Sequence, residues 1–198
     1  MADHHQMPAL RGSTRRLLRF TAAFLKARDG QAAVEMALIA TPFFMLLFGI
    51  VELSLIFLVS SSLENATAEA ARTIRTGTFQ NGASATQASL KTTICDAFGW
   101  MEGDCTSNLF LDVRTFASFS SVTAPNPVTG GVFNPAVLTC NAGSPGDIVV
   151  VRAYYKWPLI APMMSEALQT LSSGATLITS TATFRNEPYT ANGAPKPC

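Results

Sequence analysis

Histidine is absent from this chain after residue 5, and the two it has, His4 and His5, sit at the N-terminus. The main body therefore lacks Ser-His-Asp and Cys-His nucleophile arrangements and His-based metal sites. A Gly-rich phosphate loop and an H-E-x-x-H element are missing too. The cysteines are never spaced as C-x2-C, the pattern most zinc sites show. No pair of carboxylates stands out against ordinary surface charge. These absences exclude the familiar enzymatic chemistries, so the chain reads as no enzyme, with no metal, no cofactor and no nucleic-acid partner.

Charge is scarce as well: 14% of the 198 residues are charged and 48% are apolar. That apolar weight is concentrated. Met36–Val59 carries one charge, Glu52, in 24 residues, a length that as a helix covers about 36 Å and so spans a hydrocarbon core of about 30 Å with some tilt. Before this run, residues 1–30 hold six basic side chains, Arg11, Arg15, Arg16, Arg19, Lys26 and Arg28, against Asp3 and Asp29, a net +4. Residues 60–198 hold eight basic side chains against nine acidic ones, a net −1. Positive flanks stay in the cytoplasm, which places residues 60–198 outside it. The apolar run is too long for the h-region of a cleaved secretory signal, and retention in the membrane is the better reading.

All four cysteines, Cys95, Cys105, Cys140 and Cys198, then lie on the outer side. An even count in an oxidising compartment favours two disulfides, with three possible pairings. Cys95 and Cys105 enclose nine residues and can pair locally, leaving Cys140 to tie a long loop to Cys198. Loops closed in this way gain about 2 to 4 kcal/mol each.

Residues 1–13 lack apolar periodicity, and Arg15–Arg28 alternates basic and apolar residues as either a surface-lying helix or a plain cationic anchor would. A helix is predicted from about Val34 to Thr76, running through the membrane and several turns beyond it, with Leu63, Ala66, Ala70 and Ile74 on one stripe and Gly77 as its C-terminal cap. Pro42 is a candidate kink. A second helix is predicted over Ala85–Phe98, capped by Ser84. Leu109–Phe119, Asp147–Trp157 and Ala175–Asn186 are rich in β-branched and aromatic residues and read as strands, with a Pro/Gly/Asn-rich loop over Ser121–Gly146 and a short helix near Met163–Leu171. The fold class is α+β, a long N-terminal helix packed on a small antiparallel sheet. The expected organisation is a cytoplasmic leader at 1–30, a transmembrane helix at 31–59, its periplasmic continuation at 60–77 and a disulfide-bearing domain at 78–198.

The stretch Arg28–Ala40, RDGQAAVEMALIA, ends the basic region at Gly30, starts the apolar one at Gln31 and puts Glu35 fifth after the glycine. It resembles the leader junction of type IV pilins and pseudopilins. With the later Phe48–Glu52 (FGIVE) and SLENATAEAARTIRTG, residues 28–77 closely resemble the TadE-like proteins of tight-adherence (Flp-type) pilus systems. The resemblance implies a pilin-like fold and cleavage between Gly30 and Gln31 by a prepilin peptidase. It also implies that Glu35 neutralises the new α-amino group of a neighbouring subunit, in a minor pilin or pseudopilin that initiates, caps or stabilises the pilus. The other pilins would be partners through the membrane helix, in the inner membrane or the pilus itself. The alternative is an uncleaved bitopic protein whose periplasmic domain binds a partner.

Glu52 lies seven residues before Val59, roughly 10 Å along a helix, so it does not easily reach water. At a cost of about 2.5 to 3.5 kcal/mol for an acidic group at a helix centre, it is expected to meet a partner helix, as Glu35 is. Ala33, Ala37, Ala40 and Gly49 would let such a helix approach closely. Because +4 precedes the helix and −1 follows it, a reporter fused after Cys198 should be active only in the periplasm, and a cytoplasmic signal from that fusion would overturn the topology.

Overall fold

The computed structural model describes residues 30–99, 102–161, 165–190 and 198, and the proposed leader helix at 15–28 lies outside the described residues. The chain divides into two units, one ending at Leu47 and the other running from Phe48 to Cys198. The secondary-structure order is α1 (Gln31–Arg75), α2 (Thr78–Asn81), α3 (Gln87–Phe98), α4 (Glu102–Asn108), β1 (Leu109–Phe116), β2 (Val128–Thr129), β3 (Val132–Phe133), β4 (Ile148–Pro158), α5 (Ser165–Leu168) and β5 (Ala175–Arg185). A long helix packed on a small antiparallel sheet makes the fold α+β.

α1 starts three residues before the apolar pattern predicts and ends one residue earlier, at Arg75. In the first unit it exposes Val34, Met36, Leu38, Ile39, Phe43 and Phe44. Pro42 sits inside it, and the neighbouring Thr41 hydroxyl donates to the Ala37 carbonyl at 2.9 Å. α1 is long and apolar enough to cross a membrane.

In the second unit, Gly49, Glu52, Val59, Leu63, Ala66, Thr67, Ala70 and Ile74 form one buried stripe of α1. The stripe stops at Gly77, whose φ of 77° is left-handed and suits glycine at a helix end. The ring of Tyr189 lies so close that a Cβ at Gly77 would fall 2.2 Å from its Cγ. The expected Ser84 cap is displaced: α3 begins at Gln87 and is capped by Thr86, which trades bonds with Ser89 in a capping box. The Ser84 carbonyl instead accepts from the Ser89 hydroxyl and the Thr86 amide, while the Thr86 and Ser89 side chains meet the two N–H groups of the box.

β4 is the central strand, antiparallel to β1 on one side and to β5 on the other. Leu109 faces Tyr155 and Ile148 faces Arg185 in the register. β1 stops at Phe116, three residues before the expected end, ahead of the 3-10 turn at Phe119–Ser121, whereas β4 and β5 each lack one expected terminal residue, Asp147 and Asn186. Alternation along the strands sends Leu109, Leu111, Val113, Val149, Val151, Ala153, Tyr155 and Trp157 into the core beneath α1 and α3. Phe98 stacks on Tyr155 at 5.6 Å there.

The opposite face of the sheet carries Phe110, Asp112, Arg114, Arg152, Tyr154 and Lys156, and residues expected to form one open loop cover it. That stretch contains the β2–β3 hairpin, a short 3-10 turn at Pro135–Val137 and a parallel bridge from Cys140 to Val113, and another 3-10 turn at Phe119–Ser121 leads into it. Phe133 packs on Phe110 at 4.9 Å and on Tyr154 at 5.8 Å, and Lys156 Nζ lies 4.6 and 4.7 Å above the rings of Phe110 and Phe133. Its buried centre is Asp112, which accepts from Arg114 Nε at 2.9 Å, from the Thr139 amide at 2.8 Å and from Arg152. Arg152 also donates to the Pro125 carbonyl, and Arg114 to that of Val137. Asp112 therefore ties the covering segment to the sheet.

Two disulfides close the unit. Cys95 at the end of α3 joins Cys105 in α4, and Cys140 joins Cys198. The local pair holds together two short helices, and the long pair holds the end of the covering segment.

Burial pushes the Asp112 carboxyl up, but the hydrogen bonds from Arg114, Arg152 and Thr139 outweigh it and hold it below its ordinary value of 3.8. A carboxylate depressed in the folded state contributes stability that is present above its unfolded pKa and lost as pH falls through the lower folded one. Asp112→Asn should thus cost about 3 kcal/mol near neutral pH, since two arginines lose their counter-ion. It should also flatten the loss of stability below pH 3.8; urea unfolding of detergent-solubilised protein across that range checks both.

Candidate functional site

Two sites emerge, one in each unit. The first is the start of α1. Gly30, directly ahead of the helix, is half-exposed, and an added Cβ there would meet no atom within 4 Å. One turn on, the exposed Glu35 accepts a hydrogen bond from Gln31 Nε2 at 2.8 Å. Glu35 forms no ion pair among the described residues. Gln31 is a neutral donor and brings no opposite charge to the carboxylate.

The second site is Glu52. It is 2% exposed, and the donors around it come from its own chain. Trp157 Nε1 donates to Oε1 at 3.2 Å, and the backbone N–H groups of Ile160 and Ala161 each donate to Oε2 at 3.1 Å. The local sequence explains this convergence. Trp157 is the last core-facing residue of β4, and Pro158 ends the strand, since it has no N–H to extend the ladder. The chain then turns with two free amides toward the helix. An unpaired buried carboxylate would cost several kcal/mol, and so would two unpaired amides; here each supplies what the other lacks.

Sequence reasoning located Glu52 as a carboxylate in need of a partner and assigned that partner to another helix. The structure supplies three donors from 105 to 109 residues further along the same chain. Trp157 was not singled out. The available signal was its position at the end of an apolar strand next to Pro158, where an amphipathic ring with one N–H donor is useful. The arrangement binds and positions, and nothing in it resembles a nucleophile and base. Among the described residues no group of His, Cys, Asp and Glu could hold a metal ion.

Compared with known proteins, residues 30–72 match the family model described as TadE-like protein. The matched stretch starts at Gly30 and includes both Glu35 and Glu52. No curated protein and no solved structure matches the chain.

Trp157→Phe keeps an aromatic side chain but removes the Nε1 donor, and should lower stability by about 1 to 2 kcal/mol. Glu52→Ala should cost more, because it strands the indole and both amides. Denaturant unfolding of the detergent-solubilised chain, followed by circular dichroism, checks the order; equal stabilities would show that the Glu52 bonds contribute nothing.

Proposed function

Starting from a chain that is similar to the TadE-like family over residues 30–72, we propose a minor pilin or pseudopilin that takes part in initiating, capping or stabilising a tight-adherence pilus. The single observation that carries this reading is the coincidence of the matched segment with the start of α1: a half-exposed Gly30 before the first helical residue, an apolar helix and a glutamate at the fifth helical position. In this reading the basic leader stays in the cytoplasm, α1 crosses the inner membrane and the disulfide-bearing unit lies in the periplasm. A prepilin peptidase cuts after Gly30. Cleavage creates an α-amine with a reference pKa of about 7.7 to 8.0, a cation of the kind Glu35 has no ion pair with among the described residues. Glu35 then pairs with the amine of a neighbouring subunit, and the exposed apolar surface of α1 joins a bundle of pilin helices, with Ala33, Ala37 and Ala40 allowing close approach. The work is structural, with no catalytic step.

N-terminal sequencing of protein from cells expressing the cognate peptidase tests the reading. The mature chain should begin at Gln31. Gly30→Ala should retain the leader and stop pilus incorporation, whereas Glu35→Ala should still be cut but assemble poorly. A wild-type chain that still starts at or near Met1 would reject the processed pilin and favour an uncleaved bitopic anchor with a periplasmic partner-binding domain.

A further inference from the structure

We propose that the loop after β4, Pro158–Ala161, is immersed in the membrane beside α1, as a second lipid contact made by the folded unit itself. The inference rests on the membrane-anchored part of the proposed function and is independent of cleavage and pilus assembly.

Within the second unit the apolar surface of α1 does not stop where the fold begins to pack against it. Ile50, Val51, Leu53 and Leu58 are exposed on the outer side of the helix, and Phe57 is 74% exposed. Ser54 does not interrupt this surface as a free hydroxyl, since its Oγ donates to the Ile50 carbonyl at 2.8 Å. The first polar run is Ser60–Ser62. Hydrocarbon that covers Phe57 and Leu58 therefore extends to their level. Glu52 lies six residues lower, about 9 Å along the axis, and the amides of Ile160 and Ala161 are bonded to it at that lower level. A bilayer that shields the helix surface up to Leu58 thus also reaches the loop.

The loop is built for that setting. Pro158, Leu159, Ile160 and Ala161 carry no charge and no polar side chain. Ile160 is 64% exposed, pointing away from the core. Irregular backbone is tolerated at hydrocarbon depth only when its polar groups are met inside the protein. Pro158 has no N–H, and the amides of 160 and 161 are occupied by Glu52. Glu52 in turn accepts three hydrogen bonds from within the protein, so its charge and these two amides are met there. Trp157, with its N–H turned inward to Glu52, is the residue type that gathers at membrane interfaces. Lipid is the occupant because the loop is hydrogen-bonded, through the amides of Ile160 and Ala161, to a residue of the candidate membrane span.

Two variants of the full chain, reconstituted in phosphatidylcholine vesicles at high lipid excess, test this. In Trp100→Phe, Trp157 is the sole tryptophan, read by tryptophan-selective excitation; in Trp100→Phe/Trp157→Phe/Ile160→Trp, the reporter stands at the exposed loop position. Vesicle flotation first confirms membrane insertion. Both variants should lose emission when the lipids are brominated near the headgroup end of the acyl chains, the residue 160 reporter more strongly, and acrylamide should add little. A chain that floats but whose residue 160 reporter responds to acrylamide and not to bromine would overturn the proposal, placing the loop above the headgroups. Protection from both quenchers would overturn it in favour of a neighbouring chain's helix covering the loop. Failure to float would reject the membrane anchor itself, and the proposal with it.

Discussion

A carboxylate placed on an otherwise apolar helix forces the surrounding structure to answer it, and here the answer is the end of the central strand. Glu52 receives an indole N–H and two backbone N–H groups, so the turn after β4 is shaped by the helix and the helix is held by that turn. The buried stripe of α1 packs over the sheet from Gly49 to Ile74, and the Glu52 contact fixes its lower end. Hydrophobic burial along the stripe is non-directional and would tolerate sliding by a turn. Three hydrogen bonds to one carboxylate would not, so the polar contact sets the register of the apolar one.

The outer face of the sheet repeats the device with opposite partners. Asp112 is a lone buried acid facing two arginines, and it reaches the covering segment through Thr139. One acid shared by two bases leaves that face with excess positive charge, spread further by Lys156 over Phe110 and Phe133. Both faces of one three-stranded sheet therefore depend on a single carboxylate each, one met by neutral donors and one by cations.

Much of this was legible in the residues. The stripe Leu63, Ala66, Ala70, Ile74, the three strands and the glycine at 77 follow from periodicity and turn chemistry, which are local properties. Less legible were the contacts that join distant segments. Asp112 looks like ordinary surface charge in LFLDVRTF, because alternation gives its face but not the hairpin that covers it. The stretch Ser121–Gly146 reads as a loop since its strands are two residues long, too short for any period to show. Glu52 announced a need without an address: the donors lie on a strand end over 100 residues away, and two of them are backbone amides, which carry no sequence signature.

Placing β4 in the centre also orders events in time. Every strand pairing in the main sheet is non-local, with Leu109 waiting for Tyr155 and Ile148 for Arg185, and the bond from Cys140 to Cys198 spans 58 positions. Helices form in well under a millisecond, whereas such long-range β pairing typically takes on the order of milliseconds to seconds. The helix is therefore ready long before its sheet, and in the interval the stripe from Gly49 to Ile74 stands uncovered. The nascent chain thus passes through a stage in which it is adhesive along its whole upper helix, and completion of the central strand ends that stage.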